Sequence, residues 1–531
     1  MDFLRYVLNL RVSEPVEDGF DRGEVGVNET IFQLALASRT SENNLDVYLK
    51  TVQFLTSRSD ESSTSIVNDL RLRNGGEIPE VPSIADDEFL ASLVIVARDI
   101  WAAYLVVPPP SVTGNAFFAA APVGLVQHPV FKELCLNFLK DVALSKLFPD
   151  ISQESSPEEI AAHMAMWFAT AGANGTKSPI SVLSGLLFDA SVRMRFFSTD
   201  RAFDAYLVAL KSCVRDLRLL AQGATVHVPA IVGFSGISFS GELELQLDGG
   251  KIRPPRPIEK ELLLASGGSI TAVFETTFPL RIIHITKNGP AQLSDDAARK
   301  AHNCILATYK EFEQSLNKMR LGLLLSSDGK EFLASLEHSR FIFDLTNMGG
   351  QSGVQMVGNT LLPRALSAGS AVQVERIHRA ICSNHPDSLD IAMQRVLRAA
   401  SARGDDSDGL IDALISWENM FGASTETTFR VTASLAKLIE SDSGRRREKR
   451  KELAKIYSSR SKIVHGAKEI PGETVYEQRQ DAILVACQAL RVLYTSRTDL
   501  LGLKSEDRGT WLLLEGAPPS VDKIDDGPGG S

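Results

Sequence analysis

Arg460 and His465 stand with four residues between them in the string Tyr457-Ser-Ser-Arg460-Ser461-Lys462-Ile463-Val464-His465-Gly466. A guanidinium offers a fixed fork that fits phosphate oxygens. An imidazole titrating near neutrality can take or give a proton. Metal-free cleavage of RNA needs these services: a base for the 2′-hydroxyl, an acid for the leaving 5′-oxygen and a cation for the phosphorane charge. Spacing alone is weak support, since chance supplies roughly half an Arg-x4-His match in a chain of this composition. A looser match, Arg379 with His385, ends in His-Pro, looks like a turn and reads as a decoy.

Context says more than spacing. Leu453, Ile456, Tyr457, Ile463 and Val464 recur at the helical period and mark an apolar face. At about 100° per residue, Arg460 falls near the centre of that face. A charge aimed into an apolar surface is costly without a partner, a cavity or an interface. Residues five apart on a straight helix differ by about 140°, so Arg460 and His465 do not share a face. They converge only if the last turn unwinds at Gly466 or if two copies meet across a two-fold axis, which would also bring two His to one cleft.

Four or five helices with short connections are expected from Asp387 to Ser496. Leu389 to Ala400 is one, and Leu410, Ile411, Leu414 and Phe421 define another, with Glu418 inside its apolar stripe. Phe429 to Ile439 is apolar on two sides and reads as buried. Arg445 to His465 stops at Gly466, with Pro471 beyond. Thr474-x-x-Glu477 reads as a capping box opening the last helix, through Tyr476, Ile483, Cys487, Leu490 and Tyr494. The pattern is that of a helical bundle with Glu418 and Arg460 pointing inward from neighbouring helices.

The run Leu410-Ile-Asp-Ala-Leu-Ile-Ser-Trp417-Glu418, then Thr428-Phe-Arg430-Val-Thr-Ala433, then Tyr457-Ser-Ser-Arg460-Ser-Lys-Ile-Val-His465-Gly466 resembles the Apea-like HEPN domain. The resemblance covers roughly the last quarter of the chain. It implies a helical bundle that dimerises, and the activity of a metal-independent ribonuclease of bacterial defence or toxin systems. By position it implies Arg460 and His465 as the catalytic pair and Glu418 as an orienting acid. The polar residue that follows the Arg in related families is Ser461 here. Ala467 stands where some relatives carry a Tyr that accepts nucleotide modification, so that control is not expected.

Nine Lys or Arg against two Glu lie between Arg445 and Lys462, in a chain whose net charge is −10. A basic stripe on an acidic protein is a footprint for nucleic acid, although a solvated helix face has the same look. Arg445, Arg446, Arg447, Lys449, Arg450 and Lys462 are the candidate RNA contacts. The five Cys are scattered without paired spacing, which argues against a disulfide framework or a zinc site and fits a reducing cytoplasm. No cofactor and no metal ligands are expected. The Met-Asp-Phe-Leu-Arg start is no signal peptide, and Arg98-Asp99 interrupts the most apolar helix, Phe89 to Val107, so no membrane association is expected.

The chain of 531 residues has length for two to four domains. The expected fold is α+β and predominantly α-helical. Residues 1–222 read as mainly helical, with a strand near 3–12 from the alternation of Tyr6, Leu8, Leu10 and Val12. Residues 223–290 read as a small antiparallel sheet, by the alternation of Leu243, Leu245 and Leu247 and of Ile270, Ala272 and Phe274 around Gly-Gly turns. Residues 291–515 read as helical, with the bundle core at about 387–496, and 516–531 as a disordered tail. Gly172-Ala-Asn-Gly175-Thr-Lys177-Ser178 imitates a phosphate loop but reads as a surface turn. Glu159 and His163 read as an exposed ion pair. His227 and His284 read as packed strand residues.

The expected function is a metal-independent endoribonuclease, a cytoplasmic anti-phage or toxin-like effector. RNA is its substrate, a second copy its partner and an invader-derived protein its trigger. The alternatives are a non-catalytic HEPN module that dimerises or grips nucleic acid within a sensor protein, and a receptor whose N-terminal two-thirds bind an invader component.

Overall fold

The computed structural model describes residues 2–11, 13–20, 29–31, 33, 44–59, 63–106, 123–152, 155–156, 159–160, 163–172, 174–239, 243–263, 270–286, 295–327, 332–347, 351–354, 361–465 and 470–514. Within them the fold is predominantly helical α+β. The expected tail at 516–531 lies outside the described residues.

The amino-terminal segment expected to be a strand is helical. Asp2–Val7 forms a short helix with Asp2 in its first turn, and Phe3 and Val7, four apart, are buried. That helical pair outweighs the alternation that suggested a strand. Helices then dominate to Ala221, with Glu88–Ile100 running into a 3-10 turn, Trp101–Leu105, as the apolar run from Phe89 implies. A hairpin interrupts them: Ala165–Ala169 pairs with Asn174–Lys177. The expected surface turn at 172–178 therefore contains a strand. Glu159 accepts a bond from the backbone N–H of Ser156 at 2.8 Å. His163 lies edge-on to Phe148, with ring centroids 6.1 Å apart.

The central sheet is larger than the sequence pattern suggests. Its six strands run in the order Gln351–Val354, Leu336–Ile342, Val226–Ser235, Ala272–Leu280, Gly250–Arg253, Leu245–Leu247, all antiparallel. The two strands after residue 330 escape the period-two reading because both faces of Leu336–Ile342 are covered. Glu337, His338 and Ser339 are buried there beside Leu336 and Phe341. Glu337 pairs with Arg340 at 2.6 Å, and His338 shares a 2.6 Å hydrogen bond with Ser235. His227, expected to be packed, is exposed on its strand. His284 sits in a strand, opposite Phe168.

Two hydrophobic cores result. One gathers the N-terminal helices and the sheet, and the other lies inside the C-terminal helices. Helix Asp295–Leu325 serves both: Phe312, Leu316, Met319 and Leu323 enter the first core, and Leu321, Leu324 and Leu325 the second. Among the described residues, no helix is long and apolar enough to cross a membrane.

The C-terminal bundle is built from Asp390–Leu397, Asp406–Phe421, Thr427–Ile439, Ser443–His465 and Gly472–Thr495, with Ser505–Leu514 packed beside them. The last long helix begins at Gly472 after Pro471, two residues before the expected cap at Thr474. Pro471 is the N-cap, its ψ of 136° outside the helical region, so the helix begins at the next residue. Asp406–Phe421 is capped by Asp405, whose carboxylate accepts from the Asp408 N–H at 2.9 Å.

Candidate active site

Trp417 anchors the helix that carries the acid. It is fully buried and its indole N–H donates to the Ala482 carbonyl at 3.0 Å. Glu418 follows it, and its carbonyl accepts from the Ser505 hydroxyl at 3.0 Å and from the Gly422 N–H at 2.6 Å. The backbone of Glu418 is thus held from two sides.

The facing helix, Ser443–His465, starts at Asp442, whose carboxylate accepts the Arg445 N–H at 2.8 Å. Leu453, Ile456 and Ser459 are its buried positions. Arg460 shares that stripe, yet its side chain keeps 33% exposure. It snorkels out of the bundle instead of sitting in its centre. Val464, expected on the apolar face, is exposed.

Glu418 Oε1 accepts two short hydrogen bonds, one from the Tyr457 hydroxyl and one from the Arg460 guanidinium. Tyr457 is the site residue that sequence reasoning counted only as apolar packing. Burial, and then its bond to Glu418, push its hydroxyl up to about 12, so it stays a donor at neutral pH. Tyr457 and Arg460 open onto a cleft of about 620 Å³ whose other walls are Thr428, Ser458, Ser461, Lys462 and Val464.

Of the two chemical candidates, Arg460 is placed on this cleft and His465 ends the same helix. The His465 side chain lies outside the described residues, as do Gly466 and Lys468. The helix is continuous through His465, and Gly466, where one of the two routes to convergence would unwind it, lies outside the described residues. Along one continuous helix the two positions are separated by about 140° and about 7.5 Å of rise.

The basic stripe divides by role. Arg445, Arg447, Lys451, Lys455 and Lys462 are exposed. Arg446 instead folds back to donate to the carbonyls of Glu440 and Ser441 at 2.7 and 2.6 Å, closing the end of the preceding helix. Lys449 pairs with Glu452 at 3.1 Å. Arg450 lies over the exposed ring of Phe429, 5.4 Å from its centroid. Phe429 adjoins Thr428 at the cleft wall, and its exposure departs from the expected buried helix.

The Arg379/His385 match is structural. His385 Nδ1 meets the Tyr494 hydroxyl at 2.6 Å and Nε2 meets Asp390 at 2.9 Å. Burial, against the pull of Asp390, lowers the His385 pKa. Among the described residues, Asp248, His378 and Cys382 form a group able to hold a metal ion. Its sequence signal was His378-x-x-x-Cys382, two ligands one helical turn apart.

Comparison with family models, with curated proteins and with solved structures finds no match to this chain.

Proposed function

We propose that this chain is a metal-independent endoribonuclease of the HEPN type, acting in the cytoplasm as a dimeric defence effector triggered by an invader-derived protein. The observation that carries the reading is the clamp of Glu418 on Arg460 at the mouth of a cleft, on the helix that ends at His465. Glu418 fixes one edge of the guanidinium. The remaining N–H groups are left for phosphate oxygens, where they stabilise the charge that develops as the 2′-oxygen attacks. His465 brings an imidazole, the side-chain type suited to taking or giving the proton.

In this reading the site is completed by a second copy. One unbroken helix holds Arg460 and His465 well apart, whereas a two-fold axis beside its end brings each pair toward its mate. Lys462 and the exposed cations upstream supply the electrostatic approach for RNA. The exposed ring of Phe429, steadied by Arg450, is placed to stack a base, as single-stranded RNA sites commonly require.

The reading is tested by incubating the purified chain with RNA in excess chelator and identifying the product ends. Cleavage leaving 2′,3′-cyclic phosphate and 5′-hydroxyl ends supports it. Intact RNA, or cleavage strictly dependent on Mg²⁺ or Mn²⁺, overturns it. A non-catalytic dimerisation module is the second reading, favoured by the mutual satisfaction of Tyr457, Glu418 and Arg460.

A further inference from the structure

We propose that Asp248, His378 and Cys382 form a binding site for a divalent transition-metal ion of the zinc class. The site ties the central sheet to the helical bundle. His378 and Cys382 lie one turn apart on helix Ala368–Asn384, and Asp248 occupies the turn between strands Leu245–Leu247 and Gly250–Arg253. The donor atoms of all three lie within 4.8 Å of one another.

The separations suit coordination. His378 Nε2 is 3.4 Å from Cys382 Sγ. Metal–nitrogen and metal–sulfur bonds of zinc, arranged tetrahedrally, put those atoms about 3.5 Å apart. The Asp248 carboxylate is exposed and sits at a hairpin turn, so it can close the remaining distance. A nitrogen, a thiolate and one carboxylate select a borderline metal rather than Ca²⁺ or Mg²⁺, which want all-oxygen shells. Three protein ligands leave a fourth position for water.

The helix scaffold holds the imidazole in place. His378 is buried, and Gly322 of helix Asp295–Leu325 lies against it so closely that an added Cβ would stand 3.0 Å from the His378 Cβ. A side chain at 322 would crowd His378 and require it to shift. Binding replaces the Cys382 thiol proton, released to solvent, with a sulfur–metal bond and involves no change of oxidation state. Lys318 faces the group and its charge opposes a cation. The thiolate and carboxylate together outweigh it.

The consequence is mechanical. Helix Ala368–Asn384 packs on Gly472–Thr495 of the bundle and also touches the sheet edge at Leu245–Leu247. A metal joining Asp248 to this helix would lock the two cores at one point, whether or not the bundle is a nuclease.

The test is a Co²⁺ titration of the full, reduced, metal-stripped chain. One equivalent should bind and produce a thiolate-to-Co²⁺ charge-transfer band in the near ultraviolet, and added Zn²⁺ should abolish it. Cys382→Ser should remove the band. His378→Ala and Asp248→Asn should each weaken Co²⁺ binding at least about tenfold, the second without touching the core because Asp248 is exposed. Absence of the band in the unaltered chain overturns the proposal, as does full-strength binding by Asp248→Asn. A band that survives in folded Cys382→Ser, with unchanged circular dichroism, overturns it too.

Discussion

Arg460 and Glu418, 42 positions apart in the chain, meet through a hydrogen-bonded ion pair on adjacent helices of the bundle. The pair explains how an arginine lies on a stripe otherwise made of Leu453, Ile456 and Ile463. It also sets what each partner does when the other is removed. Arg460→Ala should abolish RNA cleavage yet cost only about 1 kcal/mol of stability, because both side chains reach solvent and Tyr457 still donates to Glu418. Thermal melting and a cleavage assay on one preparation measure both. A loss of several kcal/mol would show Arg460 to be mainly structural.

Arg460→Lys keeps the charge but loses the planar fork. Cleavage should fall at least about tenfold, while the affinity for RNA changes little. Single-turnover rates with saturating RNA separate the two quantities, and an unchanged rate would mean that the guanidinium does not hold the reacting phosphate.

Tyr457 provides a pH signature. Burial and Glu418 raise its folded pKa from 10.0 to about 12, so the folded chain holds this proton more tightly than the unfolded chain does. The stabilising contribution is therefore complete below pH 10 and lost as pH climbs towards 12. In an ultraviolet titration, the difference between the parent chain and Tyr457→Phe should show one tyrosinate appearing near pH 12. A transition at the ordinary pH of 10 would mean that the hydroxyl is neither buried nor bonded to Glu418.

The stripe should act on binding and not on chemistry. Arg447→Ala and Lys451→Ala should weaken RNA binding more at low salt than at high salt, each flattening the salt slope by up to about 0.7 for a single strand. Arg446→Ala should instead lower the melting temperature, since its guanidinium closes the carbonyls of Glu440 and Ser441. Filter binding across a salt series, with melting curves alongside, distinguishes the two kinds of arginine.

Much of this was legible in the chain, for definite reasons. Helices with caps, breakers and a single buried stripe, such as Asp406–Phe421 and Ser443–His465, announce themselves by period. Strand Leu336–Ile342 does not, because burial on both faces and its internal Glu337–Arg340 pair erase the alternation. The short helix at Asp2–Val7 was hidden by an accidental alternation of Tyr6, Leu8 and Leu10. Tyr457 looked like packing, since a phenol on an apolar stripe gives no hint that its hydroxyl reaches across to a carboxylate. His378 and Cys382 stand one helical turn apart in the sequence, but Asp248 joins them through a contact between elements 130 residues apart, which no local spacing encodes.

Proton transfer in the proposed reaction depends on His465. Cleavage of a defined RNA in excess chelator should fall at least about a hundredfold in His465→Ala. The circular dichroism of the variant should match that of the parent chain. Full cleavage by folded His465→Ala would show that His465 takes no part in the reaction and leave the bundle a binding or dimerisation module.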